Sequence, residues 1–221
     1  IFSVEDVAEI NIKHENWFSL VARTGFGPSG EGEIGLYDLI KSGVRHRPDY
    51  IVVGEIRGSE AYVMFQAMAT GHGGLCTMHA DSLESAGKRL QQKPMDIPPS
   101  YLSLMNCAIV IRRVKGQDGK SIRKAISVQE INTVDSYHSA FKWDSKSDYF
   151  NAQLENSVML HRISEQTGRD IEQIFDEYEK RKIVLKWLLQ HGIRSYAKVA
   201  ENIGKYYRDP ETLMKKIEHG G

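Results

Sequence analysis

Four short clusters of ionisable residues follow one another along this chain. They are Val4-Glu5-Asp6 with Glu9; Arg45-His46-Arg47-Pro48 leading into Val53-Gly54-Glu55-Ile56-Arg57; Gly71-His72-Gly73-Gly74; and Thr77-Met78-His79-Ala80-Asp81. Taken singly, each has a bland reading. A carboxylate closing a buried strand is more often a helix cap or ion-pair partner than a catalyst. Two histidines at this spacing are more often hydrogen-bonded structural groups than ligands, and an arginine pair ahead of a strand is usually a solvated face. Together they suit phosphoryl transfer. That chemistry needs a carboxylate where a core strand ends, to order Mg²⁺ and an attacking water, and cations to neutralise charge developing on the transferred phosphate. Glu55 has that strand-end position, Arg45, Arg47 and Arg57 supply cations, and the glycines around His72 let backbone pass close to another group.

The elements that must position these residues are legible from spacing. Asp49-Tyr50-Ile51-Val52-Val53-Gly54-Glu55 is a β-branched apolar run closed by glycine and a carboxylate, as in a buried parallel strand. Tyr37, Leu39, Ile40 and Val44 predict a helix before it. Ser59 is placed to cap a helix after it, carrying Ala61, Tyr62, Phe65, Met68 and Ala69 and ending at Gly71. Leu75 to Met78 reads as another short strand and Ser82 to Leu90 as a further helix, capped by Asp81 or Ser82. This alternation gives an α/β fold with a mostly parallel sheet. After Pro98-Pro99 the pattern changes. Ala108 to Val114 and Ile122 to Ile131 alternate around Gly116-Gln117-Asp118-Gly119 as a β-hairpin region. The stretch from Val134 to Phe150, with a further strand pair around Phe141-Lys142-Trp143, reads as a boundary, so residues 1–150 form the α/β part and 151–221 a C-terminal helical subdomain. In the latter, Ile171, Ile174, Phe175, Tyr178, Leu185, Leu188 and Leu189 share a helix face between Asp170 and Gly192. Tyr196, Val199, Ala200, Ile203 and Tyr207 repeat the pattern after Ser195, and Asp209-Pro210 opens a last helix.

Composition narrows the function. The 221 residues, 41% hydrophobic, suffice for a core, and 29 Lys+Arg against 29 Asp+Glu leave no global field drawing the chain to nucleic acid or an anionic membrane. Cys76 and Cys107 lack the spacing of a disulfide framework and point to a reduced, intracellular setting. No apolar run approaches the roughly 18 residues of a membrane span. The first residue is Ile and an apolar stretch starts at once, which reads as a chain entered partway through a domain.

The clusters resemble those of the type II and type IV secretion ATPases, and in particular their archaeal branch. Val4-Glu5-Asp6-Val7-Ala8-Glu9 resembles that family's Asp box, Ile51 to Gly58 its Walker B segment and Ala69 to Ala80 its His box; the flanking Arg45 to Tyr50 and the tail from Arg181 to Pro210 extend the likeness over nearly the whole chain. The resemblance implies a partial RecA-like P-loop NTPase domain and a part of an ATP-hydrolysing motor for protein secretion or pilus or archaellum assembly. It implies ATP and Mg²⁺ as cofactors, with no further metal. Glu55 would be the catalytic carboxylate, with Glu5 or Glu9 assisting at the Mg²⁺ or water side. His72 and His79 would couple nucleotide state to a subunit interface, and Arg45, Arg47 or Arg57 would lie near the γ-phosphate. The implied partners are further copies of the chain, as a hexameric ring, and an integral membrane platform protein, with no nucleic acid. The implied location is the cytoplasm, against the inner face of the cell membrane.

One departure matters. The family's phosphate-gripping string, Gly-x-x-x-x-Gly-Lys-Ser/Thr, lies upstream of its Asp box and occurs nowhere in this sequence. Backbone amides and the lysine of that loop supply most of the hold on the phosphates. Two other readings compete: a non-catalytic scaffold derived from the same family, and a hydrolase holding Zn²⁺ on His72, His79, Asp81 and Glu55. Calorimetric titration of this chain with Mg-ATP is expected to give no saturable heat at micromolar concentrations. Saturation there would show that other residues hold the phosphates.

Overall fold

The run Tyr50-Ile-Val-Val53 is rich in β-branched residues that favour strand, and it and Phe2-Ser-Val-Glu5 each supply one strand of a four-stranded parallel sheet. In the computed structural model, which describes residues 1–26, 31–116, 119–133 and 136–219, these strands are β1 (Phe2–Glu5), β2 (Phe18–Val21), β3 (Tyr50–Val53) and β4 (Gly73–Cys76), in the order β2-β1-β3-β4. Phe2 is level with Phe18 and Ile51, and Val53 with Cys76. Helices α1 (Leu36–Val44) and α2 (Glu60–Ala69) cover the sheet. Leu39 and Ile40 of α1 and Met64 and Phe65 of α2 pack in one core with Phe2, Val4, Ile51 and Val53. At Gly43 a Cβ would stand 2.1 Å from the Phe2 ring, so the last turn of α1 presses its backbone directly on β1.

Helix α3 (Leu83–Gln91) starts at Ser82, whose hydroxyl accepts the Ser85 N–H at 3.1 Å. Its Leu90 joins the first core, while Leu83 and Ala86 pack on Ile131 of a second sheet. After the short α4 (Pro99–Leu102), that sheet runs antiparallel as β5 (Cys107–Lys115), β6 (Ser121–Thr133), β7 (Ser136–Asp144) and β8 (Tyr149–Ala152). The expected α/β class with a parallel sheet, the β5–β6 hairpin pairing and the strand pair around Phe141 are all present, with Trp143 opposite Phe150. Gln117 and Asp118 of the expected turn, and Val134, lie outside the described residues. The cap expected from Ser59 is absent: Ser59 makes no side-chain cap bond, and Glu60 serves instead, its Oε1 accepting the N–H groups of Arg57 (2.5 Å) and Gly58 (2.6 Å). A carboxylate at a helix N-terminus also meets the positive end of the helix dipole.

The chain divides into two compact units, Ile1–Val158 and Met159–Gly221. The first extends past residue 150 because β8 completes the second sheet and buried Glu130 of β6 then takes hold of the following segment. Its two oxygens accept the Ser157 hydroxyl and the Val158 N–H, each at 2.7 Å. Helix α5 (Val158–Thr167) follows, then α6 (Ile171–Gln190), α7 (Tyr196–Arg208) and α8 (Pro210–Glu218) of the second unit. Asp209 caps α8 by accepting the Thr212 N–H at 3.0 Å.

The apolar stripe of α6 differs from the expected one. Ile174, Val184, Trp187 and Leu188 are buried, whereas Leu185 and Leu189 are 57% and 62% exposed. Val184, Trp187 and Leu188, spaced three and four residues apart, share one face, and Leu185 and Leu189 fall roughly 100° to 140° round the helix from Val184. On α7, Tyr206 is buried and Tyr207 exposed. Leu188→Ala is expected to cost about 2–5 kcal/mol and Leu185→Ala no more than about 0.5 kcal/mol. Urea unfolding followed by tryptophan fluorescence gives the comparison, and equal costs would contradict the observed face.

Candidate functional site

In a parallel sheet every strand ends on the same edge, and here that edge gathers Glu5, Glu55, Thr77 and His79. Glu5 is the last residue of β1, Glu55 follows β3 by two residues, and Thr77 and His79 follow β4. Gly54 continues the pairing, its N–H donating to the Val4 carbonyl at 2.9 Å. A Cβ on Gly54 would lie 3.1 Å from Glu5 Cγ, so the glycine lets the Glu5 side chain pass beside the backbone that leads to Glu55.

Glu55 is flanked by Arg57 and His79. Arg57 Nη2 donates to its Oε2 at 2.5 Å, and His79 Nε2 lies 3.4 Å from its Oε1. The carboxylate side chain is 18% exposed, whereas Arg57 and His79 stand out into solvent. The Arg57 hydrogen bond holds the Glu55 carboxyl below the ordinary glutamate value; partial burial opposes it, and the charges of Arg57, His79 and Arg89 reinforce it. The loop carrying His79 is latched from two sides. Arg89 of α3 donates to the His79 carbonyl at 2.7 Å and Arg112 of β5 to the Asp81 carbonyl at 2.9 Å.

Glu5 is 3% exposed, and its two oxygens have different environments. Oε1 accepts the N–H groups of Glu9 (3.0 Å) and Ile10 (2.9 Å), folding the loop after β1 back over the strand end. Oε2 is buried with no hydrogen-bond partner among the described residues. An ionised oxygen left so is costly unless water or a cation reaches it. A magnesium ion, which keeps most of its waters and takes one or two carboxylates, suits Glu5 with Glu55 nearby. Glu9 contributes its backbone to this arrangement, and its own side chain is exposed.

Arg45, Arg47 and His72 lie at the other edge. Arg45 and Arg47 precede β3, and His72 immediately precedes β4, whose Gly73 N–H donates to the Asp49 carbonyl at 2.9 Å. Four strand residues separate them from the Glu55 end, a span of about 13 Å at roughly 3.3 Å per residue. His46 stacks against Phe2 with ring centroids 6.2 Å apart and leaves both neighbouring arginines exposed; Arg47 has φ 50°, an uncommon left-handed conformation for arginine. His72 Nδ1 lies 3.1 Å from the Ala67 carbonyl. A cleft of about 710 Å³ lies at this edge, lined by His14, Asp49, Tyr50, Thr70 and His72 among others. Ligands of open α/β sheets bind beyond the carboxyl ends of the strands, so the cleft is at the wrong end for Glu55 chemistry.

The same separation dismantles the zinc arrangement on His72, His79, Asp81 and Glu55, and among the described residues no group of three or more His, Cys, Asp or Glu side chains converges as a metal cluster. Gly119-Lys120-Ser121, three residues that match the end of a phosphate-loop string, run from the β5–β6 connection into the start of β6 rather than standing between a strand and a helix. No described helix is long and apolar enough to cross a membrane. Sequence reasoning passed over Thr77, Glu60, Arg89 and Arg112 as separate contributors. Thr77 stood inside a cluster already noted; the two arginines are distant in sequence and gave no local signal.

Comparison with known proteins adds a family. A family model described as "Type II/IV secretion system protein" matches residues 1–149. An uncharacterized protein of Methanocaldococcus jannaschii, MJ1287, is 40% identical over 192 residues, covering 84% of this chain and 70% of its own length. A second from the same organism, MJ0900, is 35% identical over 216 residues, covering 94% of this chain and 39% of its own length. Among solved structures, the VirB11 ATPase of the Brucella suis type IV secretion system, in complex with sulphate, superposes with a TM-score of 0.44 at 26% identity, over 58% of this chain and 39% of that one. The chain thus spans well under half of two of these three relatives.

Because Glu55 has a depressed carboxyl pKa, its pair with Arg57 stabilises the fold in full above the ordinary glutamate value of 4.5 and ceases to do so as pH falls through the lowered value. Arg57→Gln is expected to move the Glu55 carboxyl titration, followed by carbon-13 NMR, back up toward 4.5. An unmoved midpoint would assign the lowering to another group.

Proposed function

The chain belongs to the type II/IV secretion system protein family, and on that footing we propose that it is part of an ATP-hydrolysing motor in which Glu55 orients and deprotonates the attacking water. The observation that supports this most directly is the Glu55 carboxylate, held ionised at the carboxyl edge of the parallel sheet beside a second, buried carboxylate with an unpartnered oxygen. Mg-ATP, when bound, supplies the phosphoryl group and the metal that spreads its charge.

The chain's own residues then have separable tasks. Glu55 Oε2 is engaged by Arg57, so Oε1, on the side of His79, is the oxygen to accept a proton from water. Arg57 keeps that carboxylate charged and offers its remaining donors to negative charge growing at the edge. Glu5 would help hold the magnesium ion through Oε2, while its Oε1 holds the loop in place. His79, beside Oε1 of Glu55, couples the nucleotide state to a subunit interface in this reading. Arg45, Arg47 and His72, at the opposite edge, serve a boundary with a neighbouring copy in a ring, which is hexameric in this reading. The Asp-box, Walker B and His-box identities of residues 4–9, 51–58 and 69–80 belong to the same reading. So do a membrane-embedded platform partner, a place at the inner face of the cell membrane, and a role in secretion, pilus or archaellum assembly. No complete phosphate-loop string occurs among these 221 residues, so this reading does not assign them the main grip on the phosphates.

Glu55→Gln in the native gene product is expected to preserve ATP binding while turnover falls by about a hundredfold or more, the signature of a group that acts in the transition state rather than in binding. Unchanged turnover would remove Glu55 from the catalytic role and favour a scaffold.

A further inference from the structure

We propose that Thr77 is a positioning residue for Glu55, fixing both peptide planes that flank it and so setting the direction in which its carboxylate points. This inference rests on the reading of Glu55 as the water-orienting group. The Thr77 hydroxyl donates to the Gly54 carbonyl at 2.6 Å, and that oxygen belongs to the peptide joining Gly54 to Glu55. The Ile56 N–H donates to the Thr77 carbonyl at 2.9 Å, and that N–H belongs to the peptide joining Glu55 to Ile56. Peptide units are planar, so a residue whose two flanking planes are both held has neither φ nor ψ free, and its Cα–Cβ direction is set.

The need for such a clamp arises next door. Glu5 crowds residue 54, where a Cβ would meet its Cγ at 3.1 Å, so a glycine stands directly ahead of Glu55. Regular pairing with β4 has ended by then, the last register pair being Val53 with Cys76. The backbone would be loosest where the carboxylate needs aiming. Only the hydroxyl bond is added by the Thr77 side chain; the ladder-like bond from Ile56 survives any substitution. Thr77 is itself exposed, so exchanging it neither empties nor overfills the core.

Thr77→Val removes the donor and keeps the shape, Thr77→Ser keeps the donor, and Thr77→Ala is a second deletion. In this chain, the Glu55 carboxyl midpoint by carbon-13 NMR is expected to rise in the valine and alanine variants, because Arg57 no longer meets an aimed carboxylate, and to stay in the serine variant. In the native gene product, valine should lower kcat by roughly ten- to a hundredfold with KM for ATP unchanged, the scale set by small misplacements of reacting groups. Serine should restore it, and Thr77→Val should add nothing to Glu55→Gln. A Glu55 midpoint unmoved in both deletion variants overturns the clamp. So does a kcat loss that adds to that of Glu55→Gln, which would place the hydroxyl on the substrate instead. Full turnover in Glu55→Gln alone would sink the catalytic reading, while the NMR titration still judges the clamp.

Discussion

The polarity of the four-stranded sheet is the constraint on which everything else depends. With β1 to β4 all parallel, whatever follows a strand goes to one edge and whatever precedes it goes to the other. Sequence order alone mixes the two groups, since Arg45 and Arg47 lie near Glu55 in the chain and His72 lies near His79. Folding sorts them. Glu5, Glu55, Thr77 and His79 meet at one edge, and Arg45, Arg47 and His72 at the other, so a cation ten residues from a carboxylate in sequence ends a full strand length away in space.

The carboxyl edge also explains how a chain with no net charge concentrates a local field. One carboxylate, partly exposed, pairs with Arg57 beside His79 and feels the charge of Arg89, while a second is buried against Gly54 with one oxygen already committed to two backbone amides. An exposed ion pair contributes little to stability in itself. Its consequence here is orientation, because Arg57 consumes one face of Glu55 and leaves the other. The unpartnered Glu5 oxygen works against stability, the kind of local cost that folds tolerate where a ligand repays it.

Much of the fold was legible because strong patterns determine it. Ile51-Val52-Val53 before Gly54, the periodic helix before Val44, the alternation on either side of Gly116 and Gly119, and Asp209-Pro210 each carry a local physical signal. β1 and β2 carried less, being four residues each and joined through a connection without helix, so nothing local distinguished them from loop. On α6, Ile174 and Leu188 are buried as expected, but Val184 and Trp187 complete the inward face where Leu185 and Leu189 were expected, since short apolar runs fit more than one face of a helix. At the site, the strand-end position of Glu55 was readable from sequence, but the edge assignment of His72 and the arginines needed strand direction. The twin bonds of Thr77 and the latches from Arg89 and Arg112 are tertiary contacts that no spacing encodes.

His72 and His79 bracket β4, and among the described strands β4 pairs only with β3. A paired strand is stiff along its length, so the two histidines cannot approach or separate without breaking its register. A disturbance at His72 carried along β4 would reach the Glu55 edge as movement of the strand as a body, and that movement is resisted at its far end by the bonds from Thr77 to Gly54 and from Ile56 to Thr77. Any coupling between the two edges through this strand must accordingly act on the same few contacts that aim Glu55, so that communication across the sheet and alignment of the carboxylate are one mechanical problem.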